Sequence, residues 1–144
     1  METATAQQLN HGIEQFNEGE FYACHDTLEA LWMEANEPDR TFFQGLLQVA
    51  VGLYHLSNHN WQGAVTLLGN GINRLRPYTP EYATVDVVHL LDWSTALLQQ
   101  LQQAGPEAIA DHPLAGLGPD ARANSAGPNA AGAKQYSVCY CTPQ

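Results

Sequence analysis

The stretch DRTFFQGLLQVAVGLYHL, residues 39–56, is apolar around most of a helical circumference, and no other feature constrains the chain as much. A helix without a continuous polar face has to be enclosed, by its own protein or by lipid. Gln48 and His55 interrupt this one. It also falls short of the roughly 18 uninterrupted apolar residues of a membrane span, so it reads as the central helix of a bundle. Gly45 and Gly52 lie on it, two turns apart. Each costs about 1 kcal/mol of helix propensity relative to alanine, and the expected compensation is close approach of a neighbouring helix.

Four further segments supply the neighbours. Thr5 to Phe16 carries Leu9, Ile13 and Phe16 at helical spacing, with Gly19 as its stop. Glu20 to Ala35 shows a stripe of Phe21, Cys24, Leu28, Leu31 and Trp32, and Pro38 opens the central helix from a permitted first-turn position. Asn60 is placed to cap a fourth helix, Trp61 to Leu75, which Pro77 and Pro80 end. A fifth runs from about Val85 to Gln103 on Val88, Leu91, Leu98 and Leu101. No alternating strand pattern of useful length occurs. The expected fold is all-α: one compact bundle of about five helices over residues 1–104. Residues 105–144, rich in Ala, Gly, Pro and Asn, are expected to form a disordered C-terminal tail, because such a composition buries too little apolar surface to offset its ordering entropy.

Charge narrows the function classes. Five basic and fifteen acidic side chains give a formal net charge of −10. Nucleic-acid binding needs a basic footprint and anionic membranes need one too, so neither partner is expected. The N-terminus has no signal-peptide pattern, and three cysteines do not make a disulfide framework, so a cytoplasmic protein is expected. Cys139 and Cys141 form a C-x-C pair to which no role is assigned.

FYACHDTLEALW, residues 21–32, puts three polar side chains on a core-facing helix. With Phe21 at 0° and about 100° per residue, His25 falls near 40° inside the apolar stripe, Glu29 near 80° at its edge and Asp26 near 140° toward solvent. His25 and Glu29 are neighbours at i, i+4. On the central helix Gln44, Gln48 and His55 form a polar stripe. If the two helices pack side by side, that stripe is expected to face His25 and Glu29 across a buried polar cluster. Tyr22, Tyr54, Trp32 and Trp61 read as core or core-edge aromatics.

The motifs FNEGEFYACHDTLEALW, FFQGLLQVAVGLYHL and HNWQGAVTLLGNGINRL follow one another in order. Over Phe16 to Tyr78 they resemble the domain of unknown function 309 family, with Asp26 where that family more often has Glu. The resemblance implies a small, mostly helical bacterial-type protein and carries no established activity; a metal-dependent hydrolase role has been guessed for the family.

Three functions fit these residues. A polar pocket built on His25, Glu29, Gln44, Gln48 and His55 would bind a small molecule, with the carboxylate favouring the charged imidazole and burial the neutral one. In a metal-binding protein or metal-dependent hydrolase, a divalent metal would take His25 and Glu29, with Asp26 or His55 as a further ligand, although a catalytic zinc wants about three protein ligands and an open position. A bundle whose polar cluster is purely structural would instead serve as a protein-interaction or scaffolding module, and self-association into a homo-oligomer is left open.

Overall fold

A computed structural model of the chain describes residues 1–111. Five α-helices follow one another: Thr3–Asn17 (α1), Phe21–Glu34 (α2), Asp39–Ser57 (α3), Trp61–Leu75 (α4) and Val87–Ala104 (α5). The all-α expectation holds, and the ends agree with the sequence signals to within about a turn. Gly19 leaves α1 at φ +80°, and the Asn60 side chain caps α4 by accepting from the Gly63 amide at 3.0 Å. Among the described residues, no helix is long and apolar enough to cross a membrane.

The central helix is α3, which packs on α2 along one side and most extensively on α4 along another. Phe42, Phe43, Leu46, Val49, Ala50, Leu53 and Leu56 are all buried. Gly45, Gly52 and Gly71 are where α3 and α4 meet backbone to backbone. A β-carbon at Gly71 would lie 2.9 Å from the Gly45 carbonyl oxygen and 3.0 Å from the Val49 amide nitrogen, and one at Gly52 would lie 3.1 Å from the Leu68 amide nitrogen. The helical cost of two glycines in α3 is thus offset by a helix contact that a methyl group would block.

Polar contacts supplement the apolar packing of the other helices. Thr27 donates its hydroxyl to Gln15 at 2.7 Å, linking α2 to α1, and Trp61 donates its indole N–H to the Leu101 carbonyl at 2.7 Å, linking the start of α4 to the end of α5.

Between α4 and α5 the chain makes a short 3-10 helix, Arg76–Tyr78, and an antiparallel hairpin of Glu81–Tyr82 (β1) with Val85–Asp86 (β2). Its strands are two residues each, too short for an alternating pattern to be visible in the sequence. Aromatic packing pins this excursion to the start of α3. The Phe42 ring lies 5.2 Å from Tyr78 and 4.7 Å from Tyr82, centroid to centroid, and the Tyr82 hydroxyl donates to Asp39 at 2.5 Å. Burial first, then the Asp39 carboxylate, pushes the Tyr82 phenol well above its ordinary range.

The face assigned to α5 needs one correction. Val87, Leu90, Leu91, Leu97 and Leu101 are buried, whereas Val88 is exposed, because the buried face centres on Ser94 and Val88 stands about 120° around the helix from it. Beyond Gly105 the chain forms a second 3-10 helix, Pro106–Asp111, whose Ile109 is buried in the common core. The tail expected from residue 105 is therefore corrected over 106–111, where Ile109 reaches the core, and its remainder, residues 112–144 with Cys139 and Cys141, lies outside the described residues.

Candidate functional site

His25 sits on α2 with both ring nitrogens engaged. Nδ1 is 3.2 Å from Asp26 Oδ1, and Nε2 is 2.9 Å from Glu29 Oε2. The second contact is the expected i, i+4 pair. The first differs from expectation: Asp26 does face solvent, yet it turns back to its neighbour's ring. The side chains of His25, Asp26 and Glu29 are 30%, 64% and 46% exposed, so the triad lies on an open surface rather than in the core.

The aromatic surroundings differ more. Tyr22 is 52% exposed, although its spacing on α2 suggested a core-edge ring. Its ring lies 5.9 Å from the His25 ring and 5.4 Å from Tyr54 of α3, and Tyr54 lies 6.4 Å from His55. The result is a strip of four rings across the outer edge of α2 and α3, with Asp26 and Glu29 alongside. The sequence signal for it was available: Tyr22, Asp26 and Glu29 share one side of the α2 wheel, near 100°, 140° and 80°.

The polar stripe of α3 does not face His25. Gln48 accepts from Arg74 Nε of α4 at 3.0 Å, and His55 Nδ1 lies 3.3 Å from Asn60 Nδ2 at the α3–α4 corner. The reason is angular. Tyr54, which meets α2, stands about 120° around the helix from Gln48, so one helix cannot present both to the same neighbour. Gln44 lies on the same side as Gln48 and is half-buried. The expected cluster of His25, Glu29, Gln44, Gln48 and His55 therefore separates into a triad on α2 and a polar margin between α3 and α4.

The one cysteine among the described residues is turned away from this surface. Cys24 is fully buried, its thiol 3.3 Å from the Gly12 carbonyl oxygen of α1, and burial pushes it up to about 12. Further along α2, the Arg40 guanidinium lies 4.4 Å above the Trp32 ring. Two clefts lie elsewhere. One, of about 410 Å³, is bounded by Glu2, Glu34, Glu37 and Phe43 at the joined ends of α1, α2 and α3, and the other by Arg76, Val88 and Thr95.

As for a metal, the donors do not converge. Asp26 and Glu29 address opposite nitrogens of one imidazole, so the three side chains share no common point. Among the described residues, no group of three or more His, Cys, Asp or Glu side chains is arranged to hold an ion.

Residues 9–67 match the model of the family described as Domain of unknown function (DUF309). The family resemblance holds over that stretch. It runs from the middle of α1 through the first half of α4 and includes every residue of the triad and of the ring strip, with Gln44, Gln48 and Asn60 of the α3 margin. A 58-residue segment is also 36% identical to "Uncharacterized protein YpuF" of Bacillus subtilis (strain 168), covering 40% of this chain and 33% of that protein. The chain thus matches about a third of the length of this curated relative. Neither description assigns an activity.

Proposed function

We propose that the chain is a protein-interaction module and that its partner docks on the outer edge of α2 and α3, over Tyr22, His25, Asp26, Glu29 and Tyr54. The observation that carries this reading is the ring strip: Tyr22 remains half-exposed while its ring contacts both His25 and Tyr54. Tyrosine supplies a large, stiff, amphipathic contact surface, and aromatic residues are enriched at the centres of protein interfaces.

The chemistry of His25 favours binding over catalysis. A general base or a metal ligand needs an accessible ring nitrogen, and here each nitrogen has a carboxylate oxygen against it, at 3.2 and 2.9 Å. A small-molecule site encloses most of its ligand, whereas these carboxylates stand on open surface. A protein partner spreads its contacts over an open face and suits the arrangement.

The test is photo-cross-linking from position 22. A benzophenone amino acid replacing Tyr22 in the full chain, expressed in its native host, is expected to give one discrete protein adduct. The adduct is expected to disappear with Glu29→Lys, and no equivalent adduct is expected from exposed Gln62 on α4. The same adduct from positions 22 and 62, or one indifferent to Glu29→Lys, would remove this face as the docking surface.

A further inference from the structure

We infer that the partner presents an arginine side chain to this face; the inference rests on the docking reading above and names the chemistry that the face recognises. Asp26 and Glu29 each commit one oxygen to His25, Oδ1 and Oε2, leaving Oδ2 and Oε1 for a further donor. Both carboxylates are about half or more exposed, so a second donor reaches them without displacing the imidazole. Tyr22 precedes Asp26 by one turn and Glu29 by two, which puts its ring and both acids in one lane of α2.

A ring face beside two carboxylates suits a planar cation with several donors. Guanidinium is such a group: it stacks on aromatic faces and forks to carboxylate oxygens, whereas the lysine ammonium is a compact point charge that does neither as well. The net charge of −10 favours a cationic partner over a second copy of this chain. The molecule also contains an instance of the same contact. Arg40 lies over the Trp32 ring on α2, one turn beyond Leu28 and Glu29, so this helix already takes a guanidinium on an aromatic face.

The experiment uses the full chain, isotopically labelled, titrated at low salt with three five-residue peptides that differ only at the central position: arginine, lysine or citrulline. The arginine peptide is expected to shift the backbone resonances of Tyr22, Asp26 and Glu29. Citrulline keeps the shape without the charge and is expected to give no shifts; lysine keeps the charge and is expected to bind at least fivefold more weakly. Tyr22→Ala and Glu29→Gln are each expected to raise the Kd about tenfold, while Glu14→Gln, exposed on α1, leaves it unchanged. Both substitutions are on the surface, and an unchanged far-UV spectrum excludes unfolding as the cause. Equal binding of lysine and arginine, binding indifferent to Tyr22→Ala, or no binding by the arginine peptide each overturns the inference. If the position-22 adduct still forms and still depends on Glu29, the docking face survives and only the arginine is lost; if the adduct is absent as well, both fall.

Discussion

Replacing Gly71 by alanine tests whether backbone contact between α3 and α4 sets the geometry of the bundle. Two opposing terms can be weighed. Alanine is about 1 kcal/mol better than glycine in a helix interior, so propensity alone predicts stabilisation. Against it stands the new β-carbon, 2.7 Å from Val49 Cγ2, 2.9 Å from the Gly45 carbonyl oxygen and 3.0 Å from the Val49 amide nitrogen. The methyl of Val49 has some room to turn, but backbone atoms move only if the helices do. Restoring ordinary contact with the carbonyl requires a separation of about half an ångström, a gap that forfeits about a quarter of each well across the surrounding contacts. Overpacking of this kind costs about 1–3 kcal/mol, and a backbone obstacle belongs at the upper end. The net expectation is that Gly71→Ala destabilises by about 1–2 kcal/mol, because strain of about 3 outweighs a propensity gain of about 1.

The control lies two residues away on the same helix. A β-carbon at Gly69 meets nothing nearer than Leu98 Cδ2 at 4.0 Å, so Gly69→Ala keeps the propensity gain without the clash and is expected to stabilise by about 0.5–1 kcal/mol. Urea unfolding followed by tryptophan fluorescence and circular dichroism measures both, with unchanged slopes showing that only the midpoint has moved. Opposite signs support the close-packed α3–α4 contact. Gly71→Ala as stable as the parent chain, or both variants stabilised alike, would refute the reasoning.

Three further outcomes follow from local geometry. The Thr41 hydroxyl and backbone amide both donate to Glu37 (the amide at 2.7 Å), holding that carboxyl below its ordinary range. A depressed carboxylate adds stability above its unfolded value, near 4.5, that is lost as pH falls through the lower folded value; Glu37→Gln is therefore expected to flatten the acid limb of a pH–stability curve, and an unaltered limb would discount the cap. Burial and the raised thiol of Cys24 predict that, in a Cys139→Ser, Cys141→Ser background, iodoacetamide labels the chain only as fast as it unfolds; rapid labelling at pH 8 without denaturant would contradict the buried placement. Ala83 and Thr84 join β1 to β2 at φ +50° and +64°, where a side-chain-bearing residue costs about 1–2 kcal/mol. Asn-Gly at these positions suits the turn, so the double substitution is expected to stabilise by about 1–2 kcal/mol in thermal melts, and a loss would argue against that turn.

Much of the fold was legible because helices are built from local signals. The apolar period, the Asn60 cap, the Gly19 stop and the all-round apolarity of residues 39–56 depend on neighbours within a few positions, and each reappears in the structure. The Gly45–Gly52 pair even announced a close helix neighbour, though not which helix. The hairpin at 81–86 and the buried Ile109 were not legible, because two-residue strands have no period and a single apolar residue in a polar segment does not say what it meets.

The site divides along the same line. The sequence by itself determined that His25 and Glu29 touch, since their spacing on one helix dictates it. It also set the angular positions of Gln44, Gln48 and Tyr22. Only the tertiary structure decided what stands at those angles: Arg74 beside Gln48, Tyr54 beside Tyr22, and open solvent where a second polar stripe was expected. The physical reason is that helical periodicity specifies a direction from the axis, while the neighbour found in that direction depends on how all five helices share one core.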